Sequence, residues 1–134
     1  MSEELCHLSL TEAADLIKAK KLSPVELTEA MLRRTDALNS QLDAFITRTS
    51  DVALAAARKA ESEIAKGGHK GPLHGIPFGL KDIYNTKGIL TTAHSRILID
   101  NVPDEDATTT AQLSEAGAVL MGKLSTHEFA HGGP

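Results

Sequence analysis

The sequence has almost no cysteine and few aromatic side chains. Cys6 is the only cysteine, and the 134 residues include no Trp, one Tyr and three Phe. A single cysteine can form neither an intrachain disulfide nor a cysteine-based zinc cluster, so we expect a reducing, cytoplasmic compartment. The shortage of aromatic rings argues against a protein that binds single-stranded nucleic acid, because such proteins stack the bases on several rings.

Clustered positive charge and long apolar runs are also missing. The formal net charge is −4, so neither DNA nor an anionic membrane surface is an expected partner, since both require clustered cations. Contact with one structured RNA through a local patch stays open. No run approaches the roughly 18 apolar residues of a membrane-spanning helix. The N-terminus lacks the basic and apolar regions of a signal peptide, and none is expected.

Capping signals and apolar spacing predict alternating helices and strands. Capping boxes at Ser9 and Ser23 each begin a helix, the second running to about Asn39. Two further helices are predicted at 51–66 and 107–116, and Asp106 is expected to cap the second. Three strands are predicted at 43–47, 76–80 and 118–121. The second is irregular and leads into Lys81, and the third is expected to be buried on both faces. This alternation predicts an α/β fold with parallel strands. Because only three strands are predicted, we expect the chain to be the first part of a larger domain.

Residues 127–131 match the H-E-x-x-H pattern of zinc hydrolases, in which two histidines one helical turn apart bind zinc and the glutamate is the general base. Here these residues are His127, Glu128 and His131. The pattern needs a stable helix and a third ligand, usually downstream, whereas glycines follow directly. We therefore expect Glu128 to complete a helix cap with Ser125, and a zinc hydrolase is the remote alternative. His74 lies in a Gly/Pro-rich loop without a neighbouring ligand, and we expect it to be hydrogen-bonded or exposed to solvent.

A lysine ends the predicted irregular strand. Lys81 follows alternating apolar residues and is itself followed by Asp82. Most lysines are exposed to solvent, and the simple interpretation of Lys81 is that it is exposed as well. A lysine covered at a strand end would have a lowered pKa, which makes the neutral amine available as a base. Adjacent side chains on a strand point to opposite faces, so Asp82 need not pair with Lys81.

Four segments, in this order, resemble the amidase signature family. They are 8–32 (LSLTEAADLIKAKKLSPVELTEAML), 42–49 (LDAFITRT, followed by an Ala-rich helix), 71–95 (GPLHGIPFGLKDIYNTKGILTTAHS) and 104–130 (DEDATTTAQLSEAGAVLMGKLSTHEFA). No single segment is decisive, whereas the ordered set is highly specific. The resemblance implies that residues 1–134 are the N-terminal part of one amidase signature domain, a mixed sheet covered by helices, with the remainder of the domain absent.

The resemblance also implies a mechanism. The family hydrolyses or transfers amides with a serine, a cis-serine and a lysine, and without a metal or cofactor. Lys81 stands where the family's lysine stands, which implies that it is the general base acting through the cis-serine on the nucleophilic serine. The family's Gly-Gly-Ser-Ser-Gly-Gly-Ser type of motif does not occur in these 134 residues. Both triad serines are therefore expected outside this chain, which alone is expected to be inactive.

Two further questions concern partners and alternatives. The implied substrate is a small amide, but amide hydrolases and the catalytic subunits of tRNA-dependent amidotransferases are similar in this region. The opening helices favour the second branch, for which a B-type subunit, a small C-type subunit and a charged tRNA would be partners. The alternative is a non-catalytic truncated fragment or assembly module, which would need a partner to cover strand 118–121.

Overall fold

The computed structural model describes the backbone of residues 2–132 and the side chains of residues 4–132. The helices are α1 (Ser2–Leu5), α2 (Leu10–Lys18), α3 (Pro24–Leu42), α4 (Ser50–Ala65) and α5 (Thr108–Glu115). The strands are β1 (Phe45–Arg48), β2 (Pro77–Lys81) and β3 (Val119–Leu124), and short 3-10 helices lie at Arg96–Leu98 and Glu128–Ala130. Within the described residues, no helix has both the length and the apolar character needed to cross a membrane.

The predicted capping signals begin two helices. The Ser9 hydroxyl accepts a hydrogen bond from the Glu12 N–H at 3.2 Å, and the Glu12 carboxylate accepts one from the Ser9 N–H at 2.8 Å. The Ser23 hydroxyl accepts from the N–H groups of Val25 and Glu26 at the start of α3. Each cap satisfies backbone donors that have no partner within the helix, which stabilises the helix by about 1 kcal/mol.

The predicted cap of α5 is wrong. The N-cap residue is Ala107, which makes no side-chain cap. The Asp106 carboxylate instead accepts a hydrogen bond from the Lys87 N–H at 2.7 Å and so fastens the preceding loop. Sequence spacing alone cannot separate these two uses of an aspartate, because both satisfy a free backbone N–H.

The sheet is mixed, with strand order β1-β3-β2. Strand β2 pairs parallel to β3, as predicted, and α5 lies in the crossover between them. Strand β1 pairs antiparallel to β3, so the prediction of parallel strands throughout is wrong for β1. The reason is that α4 and β2 both intervene between β1 and β3, and alternation along the chain does not fix the relative direction of strands so far apart. The mixed sheet implied by the family resemblance is present.

The core has two parts. Between α2, α3 and α4, a larger cluster buries these apolar residues: Ala13, Ala14, Ile17, Leu22, Leu27, Ile64 and Ile76. A smaller cluster places Ala53 and Ala57 of α4 against Val119 of β3, all three with no exposed surface. Alanine side chains allow the helix to approach the central strand closely, which excludes water from one face of β3.

A buried histidine fixes the loop before β2. The His74 side chain has no exposed surface, its Nδ1 accepts a hydrogen bond from the Lys70 N–H at 3.1 Å, and its Nε2 lies 2.9 Å from the Glu63 carboxylate. Because Nδ1 is an acceptor, Nε2 carries the proton of the neutral ring and donates to Glu63. The expectation of a hydrogen-bonded role for His74 is confirmed.

This arrangement makes stability depend on pH. Burial lowers the pKa of His74, although Glu63 opposes the shift, and Lys70 and His69 add small effects in the lowering direction. An unfolded histidine binds a proton near pH 6.5, so below that pH the unfolded chain takes up a proton that the folded chain resists. We expect the free energy of unfolding to fall by up to about 1.4 kcal/mol per pH unit between pH 6.5 and 5.5.

Urea unfolding at pH 7.5, 6.5 and 5.5 measures this effect. The control is His74→Gln, whose free energy of unfolding should change less over the same range because it lacks the titrating ring. Lys70 above all lowers the pKa of Glu63, so that carboxylate stays ionised throughout the range. Equal pH dependence in the two proteins would contradict the assignment.

Candidate active site

Lys81 is the last residue of β2 and lies opposite Leu124 of β3. Its carbonyl oxygen accepts hydrogen bonds from the N–H groups of Ile83 at 2.8 Å and Tyr84 at 3.2 Å, so the chain turns sharply after the strand. The Lys81 side chain is exposed, whereas Asp82 is fully buried. The two neighbours therefore face different environments, as strand alternation predicts. Residues 4–132 do not bury the Lys81 amine, so its side chain is open to contact.

Asp82 connects three segments next to Lys81. Its N–H donates to the Leu124 carbonyl oxygen at 3.0 Å, and its carbonyl oxygen accepts from the Ala93 N–H at 2.8 Å. One carboxylate oxygen accepts from both the N–H of Thr92 at 3.1 Å and its hydroxyl at 2.6 Å. The end of β2 is thereby tied both to the end of β3 and to the loop 91–93.

A second buried charge faces Asp82. The side chain of Lys123 on β3 has no exposed surface, and its Nζ lies 3.6 Å from Asp82 Oδ1. Nζ donates to the carbonyl oxygen of Tyr84 at 2.8 Å and to the hydroxyl of Thr91 at 2.7 Å. Burial lowers the pKa of Lys123, and the negative charge of Asp82 opposes that shift. The Lys123 amine thus joins Tyr84 and Thr91, which both lie in the segment that follows Lys81.

Two loops near this network hold strained backbone. Ala93 and His94 have φ of 51° and 54°, and Phe129 and Ala130 have φ of 50° and 55°. The Phe129 N–H donates to the Ala93 carbonyl oxygen at 2.9 Å, so the two strained pairs are in contact. Left-handed conformations cost non-glycine residues about 1 kcal/mol or more each, and they concentrate at functional sites.

The H-E-x-x-H residues do not form a helical zinc site. Glu128 begins a 3-10 helix that Phe129 interrupts with a left-handed backbone, and His131 is extended. The histidines are therefore not one α-helical turn apart. The predicted cap between Ser125 and Glu128 is also wrong, because the Glu128 carboxylate accepts from the Ser95 hydroxyl at 2.6 Å. In the part of the chain that the structure describes, no group of three or more His, Cys, Asp or Glu is placed to hold a metal.

The sequence did not predict the roles of Lys123, of Thr91, whose hydroxyl accepts from it, or of Thr92, which donates to Asp82. The predicted strand ended at Met121, whereas β3 continues to Leu124 and buries Lys123. The sequence did carry a signal for the burial of Lys123, because it lies only two residues beyond the apolar run 118–121 and can belong to the same buried strand. Thr91 and Thr92 carried no comparable signal, since threonines in a loop are usually exposed.

Comparison with known proteins identifies the family. A family model described as amidase matches residues 26–133. The chain belongs to the amidase signature family. The matched range includes β2, β3 and every residue of the network around Lys81, so the family resemblance seen in the sequence is confirmed.

Named relatives and solved structures agree with this membership. The chain is 51% identical over 129 residues, 96% of its length, to the A-type subunit of the glutamyl-tRNA(Gln) amidotransferase of Geobacter metallireducens, of which it covers 26%. It matches the crystal structure of the peptide amidase from Stenotrophomonas maltophilia with a TM-score of 0.86 at 36% identity, covering 92% of this chain and 26% of that one. A fatty acid amide hydrolase matches with a TM-score of 0.88 at 31% identity over 93% of this chain and 22% of that one. The chain thus spans about a quarter of the length of these relatives.

Proposed function

We propose that this chain supplies the lysine base of an amidase centre, and that residues 1–134 form the N-terminal part of one amidase domain. The observation that carries the proposal is the position of Lys81. It ends a strand on a buried polar network, leaves its amine exposed, and lies in the segment that resembles the family's lysine-bearing segment. The fixed backbone and the exposed amine leave Lys81 accessible to a serine from elsewhere in the domain, and in this proposal the packing of that part of the domain covers the amine so that it acts as a base.

The proposed chemistry is nucleophilic catalysis. Acting as the base, Lys81 takes a proton from the cis-serine, which takes one from the nucleophilic serine as that serine attacks the amide carbonyl. Protonated Lys81 then returns a proton through the cis-serine to the amide nitrogen, the C–N bond breaks, the nitrogen leaves as ammonia or an amine, and an acyl-enzyme remains. Water then attacks the acyl-enzyme, which releases the carboxylic acid and regenerates the serine hydroxyl, and in an amidotransferase the released ammonia passes to a second substrate. Both serines lie outside this chain in this proposal, and no step requires a metal.

Exposed apolar surface supports packing against further polypeptide. Ile97, Ile99 and Val102 are 80%, 59% and 54% exposed. An apolar groove of about 240 Å³ also lies between α3 and β1, and its lining includes Met31, Leu38, Leu42, Phe45 and Met121. Soluble domains seldom leave surface of this kind uncovered. The surface fits the remainder of an amidase domain, and it equally fits the alternative of an assembly module that packs on a partner.

The amidotransferase branch is the better supported of the two catalytic branches. The relative from Geobacter metallireducens is named as part of an amidotransferase, and at 51% it is more similar than the peptide amidase at 36%. In this branch the substrate is a primary amide such as glutamine, and the product nitrogen is transferred to glutamyl-tRNA(Gln). The partners are then a B-type subunit, a small C-type subunit and the charged tRNA, in the cytoplasm.

The test is to sequence the coding region beyond the Pro134 codon and to assay the complete protein. We expect a Gly/Ser-rich motif with two serines, and release of ammonia from glutamine that rises when glutamyl-tRNA(Gln) and the partner subunits are added. Ammonia release from small amides without any effect of tRNA would instead assign an amide hydrolase. A stop codon directly after Pro134 would overturn the catalytic proposal in favour of the assembly module.

A further inference from the structure

The amidase chemistry proposed above uses Lys81 but leaves a buried ion pair next to it without a role. Asp82 and Lys123 each have no exposed surface. Apolar replacements of similar volume often stabilise a protein as well as a buried ion pair does, or better. Net stability alone is therefore a weak explanation for two charges buried beside Lys81.

The contacts of the pair converge on the backbone around Lys81. Asp82, the residue after Lys81, is bonded to β3 and to the loop 91–93 through both its backbone groups and its carboxylate. Lys123 holds the Tyr84 carbonyl oxygen, and the Tyr84 N–H donates to the Lys81 carbonyl oxygen. The turn that aims Lys81 is therefore held from both of its ends.

The hydrogen bonds of Lys123 are the part that an apolar side chain cannot replace. Nζ donates to Tyr84 and Thr91 and lies 3.6 Å from Asp82 Oδ1, which has no hydrogen-bond partner among the described residues. At 3.6 Å this last contact is electrostatic, without a hydrogen bond. The negative charge of Asp82 thus favours the charged form of the amine, and the amine holds the loop through its two hydrogen bonds.

We propose that Asp82 and Lys123 are positioning residues for Lys81, which set the direction of its side chain by clamping the turn from Lys81 to Tyr84 against β3 and residues 91–92. The inference rests on the proposed function, because positioning matters only if Lys81 takes part in the reaction. A displacement of about 1 Å in a catalytic group can slow a reaction by about 100-fold.

The test uses a chimera in which this chain replaces the matching 26% of the Geobacter metallireducens relative, to which it is 51% identical, assembled with that protein's partner subunits. The first variant is Lys123→Met, which keeps the side-chain length and removes the donors. The second is the double variant Asp82→Asn/Lys123→Met, which leaves no unpaired buried charge and remains folded if the single variant does not. We expect kcat for ammonia release from glutamine to fall about 10- to 100-fold in both, with KM changed less than about twofold.

The control is His74→Gln, which disturbs a buried polar contact before the opposite end of β2. It should lower Tm without changing kcat per folded molecule. Wild-type kcat in the double variant, or an equal loss of kcat in His74→Gln, would show that the pair is merely structural and would overturn the proposal.

Amide hydrogen exchange of the same proteins gives a readout that does not depend on catalysis. We expect faster exchange in Lys123→Met at Ile83, Tyr84 and Ala93, with unchanged exchange at the Gly75 N–H, which bonds to Gly117 at the far end of the sheet. Unchanged exchange at the first three amides would also overturn the proposal. If instead Lys81→Met retained activity, the proposed function would fail, and the exchange result would still decide whether the pair holds this turn.

Discussion

Replacing Lys81 by methionine in the chimera with the Geobacter metallireducens relative is expected to lower kcat/KM for amide hydrolysis about 1000-fold or more. A general base contributes roughly 100- to 10,000-fold, and here its loss also leaves the nucleophilic serine without a route for its proton. The fold should not change, because the Lys81 side chain is exposed and methionine keeps most of its length. We therefore expect Tm to move by less than about 2 °C.

Lys87→Met is the matched control for this variant. Lys87 is also exposed, lies in the loop that follows β2, and uses only its backbone N–H in the hydrogen bond to Asp106. Ammonia release should be normal in Lys87→Met and about 1000-fold or more slower in Lys81→Met when both are assayed at the same concentration of folded protein. Near-normal turnover of Lys81→Met would remove Lys81 from the mechanism.

Replacing Gly117 by alanine is expected to lower the free energy of unfolding by about 3 kcal/mol, a large loss for a single substitution. Gly117 follows α5 with φ of 79°, where an alanine costs about 1 kcal/mol in backbone strain. An added Cβ would also lie 2.3 Å from Cδ2 of His74. The buried ring would have to move, and it would then lose its hydrogen bonds to Glu63 and to the Lys70 N–H, each costly to leave unmade.

Gly67→Ala separates the two causes. Gly67 follows α4 in the same position after the helix, with φ of 87°, but nothing lies within 4 Å of its added Cβ. Its loss should be only the backbone strain, about 1 kcal/mol. Urea unfolding of the two variants beside the parent measures the difference. Equal losses at Gly67 and Gly117 would show that the close contact with His74 carries no energetic weight.

The correctly predicted features are governed by neighbours along the chain. The caps at Ser9 and Ser23, the helix ends at Gly67 and Gly117, and the strand leading into Lys81 each depend on residues within a few positions of one another. The ordered segments that resemble the amidase family were likewise visible without coordinates, and the family comparison confirms them.

The missed and misassigned features depend on residues far apart in the chain. Ser95 donates a hydrogen bond to Glu128 across 33 positions, so the Glu128 carboxylate does not form the local cap that was expected. The H-E-x-x-H residues also lack the α-helix that a zinc site would need. Likewise Lys123 reaches Tyr84 across 39 positions. No local pattern reports such pairs, because burial of a polar group depends on which partner the fold brings to it.

The order of residues along the chain was thus sufficient for helices α2 to α5, for the presence of the three strands, for the family and for the candidate lysine at position 81. The antiparallel direction of β1, the exposure of Lys81 and the burial of Asp82 with Lys123 became known only from the folded chain. The difference lies in the range of the interactions involved. Caps and turns are satisfied within a few residues, whereas a buried charge is stable only where distant segments together supply its hydrogen bonds and counter-charge.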